Sequence, residues 1–218
     1  MQPLAAALTL LTGVLAAAGP AAAVPLGYTD RAAFLSAIAD PQGTTVTNFD
    51  SIPAETLIAS GSALDGITFT YDLGGVSLKV GTGFDTSSGP NFLATDDGGN
   101  ALQDGDNLAF GLLPTRAFGL TVISADPLFD GDFVLSIDGF SVQLIASAVQ
   151  QTFADGGKSW FLGIIDHAAP FSAVRLTADS GTGGTAFVYT LDDLTVPAPG
   201  AAALLLLGLA ALRGRRRG

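Results

Sequence analysis

Six Asp-Gly pairs punctuate the middle of the sequence, at Asp65-Gly66, Asp97-Gly98, Asp104-Gly105, Asp130-Gly131, Asp138-Gly139 and Asp155-Gly156. Each is a turn signal, because Gly takes a positive φ without steric cost and Asp hydrogen-bonds to its own backbone nearby. The acidic composition agrees: 19 of the 20 acidic residues are Asp and only Glu55 is Glu. Asp favours turns and caps, whereas Glu favours helix. Chain punctuated in this way has room for short strands and little else.

Between these turns the apolar period is two. Strand signals cover Thr44–Phe49, Ile67–Tyr71, Val76–Val80, Asn107–Gly111, Phe118–Ser124, Phe133–Ile137, Phe140–Ala146, Trp160–Ile165, Ala173–Ala178 and Phe187–Val196. Phe133, Leu135 and Ile137 share one face; Val174, Leu176 and Ala178 do the same in their segment. Asp138-Gly139 separates two runs by two residues, the strongest hairpin signal in the chain. The one helical segment lies before them, capped by Thr29 or Asp30 and running to about Ala39, with Phe34, Leu35 and Ile38 on one face and Pro41 and Gly43 closing it. In the last strand Phe187, Tyr189 and Leu191 share a face, but Leu194 and Val196 are the next apolar positions. Keeping both sets inward requires one extra residue, so a β-bulge is expected at Asp192-Asp193. The predicted fold is all-β, an antiparallel β-sandwich of jelly-roll type with one short N-terminal helix. No repeat at a fixed period points to a propeller or solenoid.

The two ends read differently. Leu4–Ala18 is an uncharged Ala/Leu run of signal-peptide length, followed by the helix breaker Gly19-Pro20 and by Ala21-Ala22-Ala23. Ala21 and Ala23 fit the A-x-A cleavage pattern and would leave Val24 as the new start; a retained N-terminal anchor is the alternative. At the other end, Gly200–Leu212 would span only about 20 Å as a helix, against a hydrocarbon thickness of roughly 30 Å. The arginines behind it place the extreme terminus on the cytoplasmic side; a plain tail anchor is the alternative. The expected division is a signal peptide over 1–23, a β-sandwich over 24–195 and a short membrane-helix tail over 196–218.

Charge narrows the partners. Between the two ends lie all 20 acidic residues and only five basic ones, a net charge near −15 for the central domain. Such a surface repels phosphate backbones, which argues against nucleic-acid binding. No cysteine is present, so no disulfide framework and no thiolate metal site can form.

Val196-Pro197-Ala198-Pro199, the short apolar helix and the cluster Arg213, Arg215, Arg216 and Arg217 together resemble a PEP-CTERM sorting signal, with Ala198 where the usual motif has Glu. The resemblance implies recognition by an exosortase-like peptidase in a Gram-negative envelope, often one that makes exopolysaccharide. It further implies passage through the Sec translocon and signal peptidase, a transient inner-membrane intermediate, and final placement at the cell surface or in the extracellular matrix. The phrases Tyr28-Thr29-Asp30-Arg31-Ala32-Ala33-Phe34, Asn48-Phe49-Asp50, Ile67-Thr68-Phe69 and Leu191-Asp192-Asp193-Leu194 are similar to exported PEP-CTERM proteins. The sandwich of those proteins resembles carbohydrate-binding and galactose-binding-like modules.

Candidate chemistry is sparse. Asp50 and Asp192 or Asp193 would converge if the first and last strands pair, and an oxygen-rich site of that kind suits Ca²⁺; turn and bulge Asp facing water is the alternative. No other cofactor is expected. Asp96, Asp97, Asn100, Asp104 and Asp106 form an acidic loop that matches no calcium-loop spacing. His167 is the single histidine, and no motif of a catalytic serine surrounds it, so it reads as a loop residue. Trp160 suits a core position better than a sugar-stacking platform. The expectation is therefore a non-catalytic surface protein that binds glycan or another envelope component, with extracellular polysaccharide as one candidate partner. A polysaccharide hydrolase and a purely structural coat or adhesion protein are the alternatives.

Overall fold

A computed structural model of the protein describes residues 24–38, 44–181 and 184–197. The signal segment with Ala21 and Ala23, the helix-closing Pro41 and Gly43, and the tail residues Ala198, Pro199, Arg213, Arg215, Arg216 and Arg217 lie outside the described residues.

Strand β1 (Leu26–Tyr28) leads into helix α1 (Arg31–Ala37), followed by β2 (Thr44–Thr47), β3 (Leu57–Ile58), β4 (Ala63–Leu64), β5 (Ile67–Tyr71), β6 (Leu78–Thr82), β7 (Asn91–Thr95) and β8 (Leu102–Gln103). The second half is β9 (Leu108–Thr115), β10 (Ala117–Ser124), β11 (Phe133–Ile137), β12 (Phe140–Gln143), β13 (Gln151–Thr152), β14 (Lys158–Ile165), β15 (Phe171–Ala178) and β16 (Val188–Pro197). They form two sheets. The larger runs β1-β14-β10-β16-β7-β6-β3, with β2 and β8 also on β16 and β13 on β14; the smaller runs β12-β11-β15-β9-β5-β4. The pairings are antiparallel throughout. The all-β sandwich expected from the turn and strand pattern is the observed architecture.

Alternation explains the packing. Phe118, Leu120 and Val122 of β10, with Trp160, Leu162 and Ile164 of β14, point into the space between the sheets. They meet Phe133, Leu135, Val174 and Leu176 from the smaller sheet. Aromatic pairs bridge the layers: Phe110 and Phe118 have ring centroids 5.1 Å apart, and Phe133 and Tyr189 meet edge-to-face at 4.8 Å. Trp160 belongs to this core, and its Nε1 donates to Ala146 O at 3.0 Å.

The turn chemistry follows the sequence. All six Asp-Gly glycines have positive φ, between 73° and 94°. At Asp65-Gly66 both residues do (50° and 82°), as the twist of a tight two-residue hairpin requires. The bulge in the last strand is present: Gly119 of β10 faces Thr195 and Thr121 faces Asp192, so two steps on β10 match three on β16. Asp193 absorbs the extra residue at φ 49°.

Several boundaries and short strands differ from expectation, β12 for one ending at Gln143 rather than Ala146, and three of the differences show their cause. Helix α1 stops at Ala37, with Ile38 already extended. Strand β2 ends before Phe49, whose φ of 63° breaks the ladder. Strand β7 was not anticipated, because all five of its residues are buried and show no alternation.

Helix α1 covers one end of the outer face of the larger sheet. Asp30 Oδ1 caps it by accepting from Ala33 N at 2.7 Å. Phe34 is fully buried there, 5.1 Å from the Phe161 ring. The approach depends on glycine beneath it: a Cβ on Gly163 would lie 2.7 Å from both the Phe161 and the Phe34 ring.

Candidate functional site

The remainder of that outer face is organised by the loop joining β6 and β7, residues 83–90. Its two halves serve two neighbouring groups of carboxylates.

The first group is the one the sequence suggested. On β16, Tyr189 and Leu191 point into the core, so Thr190 and Asp192 face outward. The bulge then turns Asp193 to the same region. Ser87 N and Oγ both donate to Asp192 Oδ2, at 3.0 and 2.9 Å. Ser87 Oγ also lies 2.8 Å from Asp193 Oδ2, which pairs with Arg31 of α1 at 3.3 Å. Ser88 Oγ lies 3.2 Å from Asp192 and 3.4 Å from Asp50. Asp50 Oδ1 in turn accepts from Asn91 N at 3.1 Å. Asp50, Asp192 and Asp193 are thus drawn together, with two serines between them.

Asp192 and Asp193 are buried, at 0% and 2% exposure. One Ser87 hydroxyl proton cannot serve two carboxylates at once. Burial first, and then the neighbouring Asp193 charge, raise the Asp192 carboxyl to about 7, against the lowering effect of Ser87. A proton on Asp192 resolves the competition. Calcium would require six to eight oxygen ligands, roughly, around one point. Here the serine donors and the Arg31 guanidinium already occupy the carboxylates. Among the described residues no group of three or more His, Cys, Asp or Glu side chains is arranged to hold a metal ion.

The second group was not legible in the sequence. Beside the first, a cleft of ≈150 Å³ opens between the loop after β6, the β13–β14 turn and the ends of β10 and β16. Its walls are Phe84, Phe153 and Ile123; Asp85 and Asp155 join them, and Thr190 lines it as well. Phe84 is 51% exposed yet held in place against buried Phe92, with ring centroids 5.7 Å apart. The Asp85 and Asp155 carboxyl groups both line the cleft and act on one another electrostatically. Partial burial, then the neighbouring Asp155 carboxyl, raise the Asp85 carboxyl. Asp155 Oδ1 also accepts from Gly157 N at 2.8 Å. Thr190 is 4% exposed, and its Oγ1 is buried with no hydrogen-bond partner among the described residues. Its neighbour across the ladder is Ile123, which offers none.

The remaining candidates are structural. Asp104 holds Ser180 through N and Oγ at 2.8 and 2.6 Å, and Asp106 Oδ2 accepts from Gln103 N at 2.7 Å, so these acidic-loop residues close turns. Asp97 does the same with Gly99 N at 3.0 Å. His167 is exposed in a turn where Asp166 Oδ1 accepts from Ala168 N and Ala169 N.

Fold and site together define a two-layer antiparallel sandwich with a ligand-sized cleft on the outer face of its larger sheet. No family model and no curated protein matches the chain. Among solved structures it aligns with the K2 cleaved adhesin domain of Lys-gingipain, at 13% identity and a TM-score of 0.43, over 72% of this chain and 99% of that one.

Proposed function

We propose that this protein is exported to the cell surface or extracellular matrix, where its sandwich holds a glycan or another envelope component without catalysis. The observation that carries the reading is the outer-face cleft. Apolar walls, two carboxyl groups and one unpartnered buried hydroxyl are the mixture that binds a polyhydroxylated ligand: apolar surface for its C–H faces, polar groups for its hydroxyls.

The ends are compatible with processing. Strand β1 starts at Leu26, so a cut after Ala23 leaves it whole. Val196 and Pro197 pair with Thr45 and Thr44 at the end of β16. A sorting peptidase would therefore read the motif from Ala198 onward, or unzip the last two pairs first.

Hydrolysis is the alternative reading. Glycosidase carboxyl pairs stand at least about 5 Å apart, to leave room for the sugar or a water. Asp85 and Asp155 are the two carboxyl groups of the cleft to which that criterion applies. The test has three parts: a glycan array probed with the mature protein, reducing-sugar release from the cell's own exopolysaccharide, and mass spectrometry of both mature termini. Binding without sugar release, with residues 1–23 and the arginine cluster removed, is the expected result. Sugar release that survives His167→Ala but is lost in one Asp→Asn variant would establish the hydrolase instead. An arginine cluster intact on the surface-exposed form would overturn the sorting account.

A further inference from the structure

Building on the glycan-binding reading, we infer that the cleft takes the terminal ring of a neutral hexopyranose, with one ring face against Phe84 and Phe153 and hydroxyls directed to the Asp85–Asp155 pair and to Thr190 Oγ1.

Size sets the first limit. A closed cavity of roughly 150 Å³ takes a bare benzene-sized ring; the cleft measures ≈150 Å³, so a hexopyranose ring enters it with its outer substituents left outside. Its rim is open, since Phe84 and Val188 are 51% and 47% exposed. A ring that enters can remain joined to a chain outside, so the site suits an end residue rather than the middle of a strand of polysaccharide.

Charge sets the second. Among the described residues no Lys or Arg lines the cleft, whereas two carboxyl groups do, on a domain with net charge near −15. A uronate, sulfated or phosphorylated sugar would meet repulsion with no cation to offset it. Neutral hydroxyls meet the opposite situation. Carboxyl oxygens accept hydrogen bonds, and sugar hydroxyls donate them.

Thr190 points to the ligand most directly. Buried hydroxyls in folded proteins are nearly always partnered, because an unpaired one costs stability. This one lies on an outward-facing position of the central strand, beside Ile123, in the wall of the cleft. Its Oγ1 has no open surface at rest, so a ligand hydroxyl supplies the missing partner only when a side chain of the cleft wall turns aside.

The experiment is calorimetric titration of the mature protein with methyl pyranosides of glucose, galactose and mannose, and with the matching methyl uronides. Thr190→Val and Ala125→Trp are titrated alongside. Val replaces the hydroxyl with a methyl of the same shape, so Thr190→Val should weaken the sugar about tenfold without lowering Tm. Ala125 is exposed at the cleft, so a Trp there should block the cleft, abolish binding and leave the fold intact. At least one neutral pyranoside is expected to bind, its uronide at least tenfold more weakly. Tighter binding of the uronide overturns the inference. So does neutral-sugar binding that is indifferent to both variants, which would place the ring elsewhere. If no pyranoside binds but array binding persists and Ala125→Trp removes it, the ring class is wrong and the glycan reading stands. If array binding is absent too, both fail.

Discussion

Replacing Asp192 by Asn should flatten the pH dependence of stability. The Asp192 carboxyl is raised from 3.8 to about 7 in the folded state. A folded value above the unfolded one means that folding takes up a proton in between. The associated stability is fully present below about pH 4 and is lost as pH rises through 7. At about 1.4 kcal/mol per unit, a shift of roughly three units corresponds to ~4 kcal/mol across that window. For a domain of this size that is a fall in Tm of roughly 8–16 °C between pH 4.5 and 8.5. Asp85, Asp106 and Asp132 are also raised, each chiefly by burial, and add a slope of the same sign. The measurement is therefore a difference. Urea denaturation of the wild type and Asp192→Asn at several pH values isolates the contribution of one carboxyl. Asn leaves one of the donors now on Asp192, Ser87 N or Asp193 N, without an acceptor, which costs about 1–2 kcal/mol at every pH. The variant should be less stable than the wild type at pH 4.5 and more stable at pH 8.5. Parallel curves with no crossing would refute the account of a shared, proton-requiring carboxylate pair.

Two further outcomes follow from the packing and the serine-filled cluster. Gly163→Ala places a methyl 2.7 Å from both the Phe161 and Phe34 rings, and should cost about 1–3 kcal/mol by overpacking, read as a lower Tm with α1 losing protection in hydrogen exchange. Added Ca²⁺ or EDTA should leave Tm unchanged, because Ser87, Ser88 and Arg31 already engage Asp50, Asp192 and Asp193; a rise of several degrees with millimolar Ca²⁺ would give that cluster a cation instead.

The legible parts of this protein are those written in local spacing. Asp-Gly turns, strands with one wet face, and the parity shift at Asp192-Asp193 each act over a few residues, and each has its expected counterpart in the fold. Strand β7 escaped because burial on both faces removes the alternation that marks a strand. Phe49 carried no sign of the positive φ that ends β2. The convergence of Asp50 with Asp192 and Asp193 was foreseeable from pairing of the first and last long strands. The serines that join them were not, because Ser87 and Ser88 arrive from a loop about a hundred residues away. The cleft is harder still. Phe84, Phe153 and Thr190 come from three separate elements, and no spacing in the sequence relates them. The signal that matters most, a buried hydroxyl without a partner, exists only once the chain is folded.

The most direct test of the proposed glycan contact is amide chemical-shift mapping of the ¹⁵N-labelled protein during titration with exopolysaccharide. Shifts concentrated at Phe84, Gly99, Gly157 and Thr190 are predicted. Shifts confined to the opposite sheet around Tyr71, Asn107 and Arg175, or no shifts at all, would contradict the assignment of the outer-face cleft as the binding site.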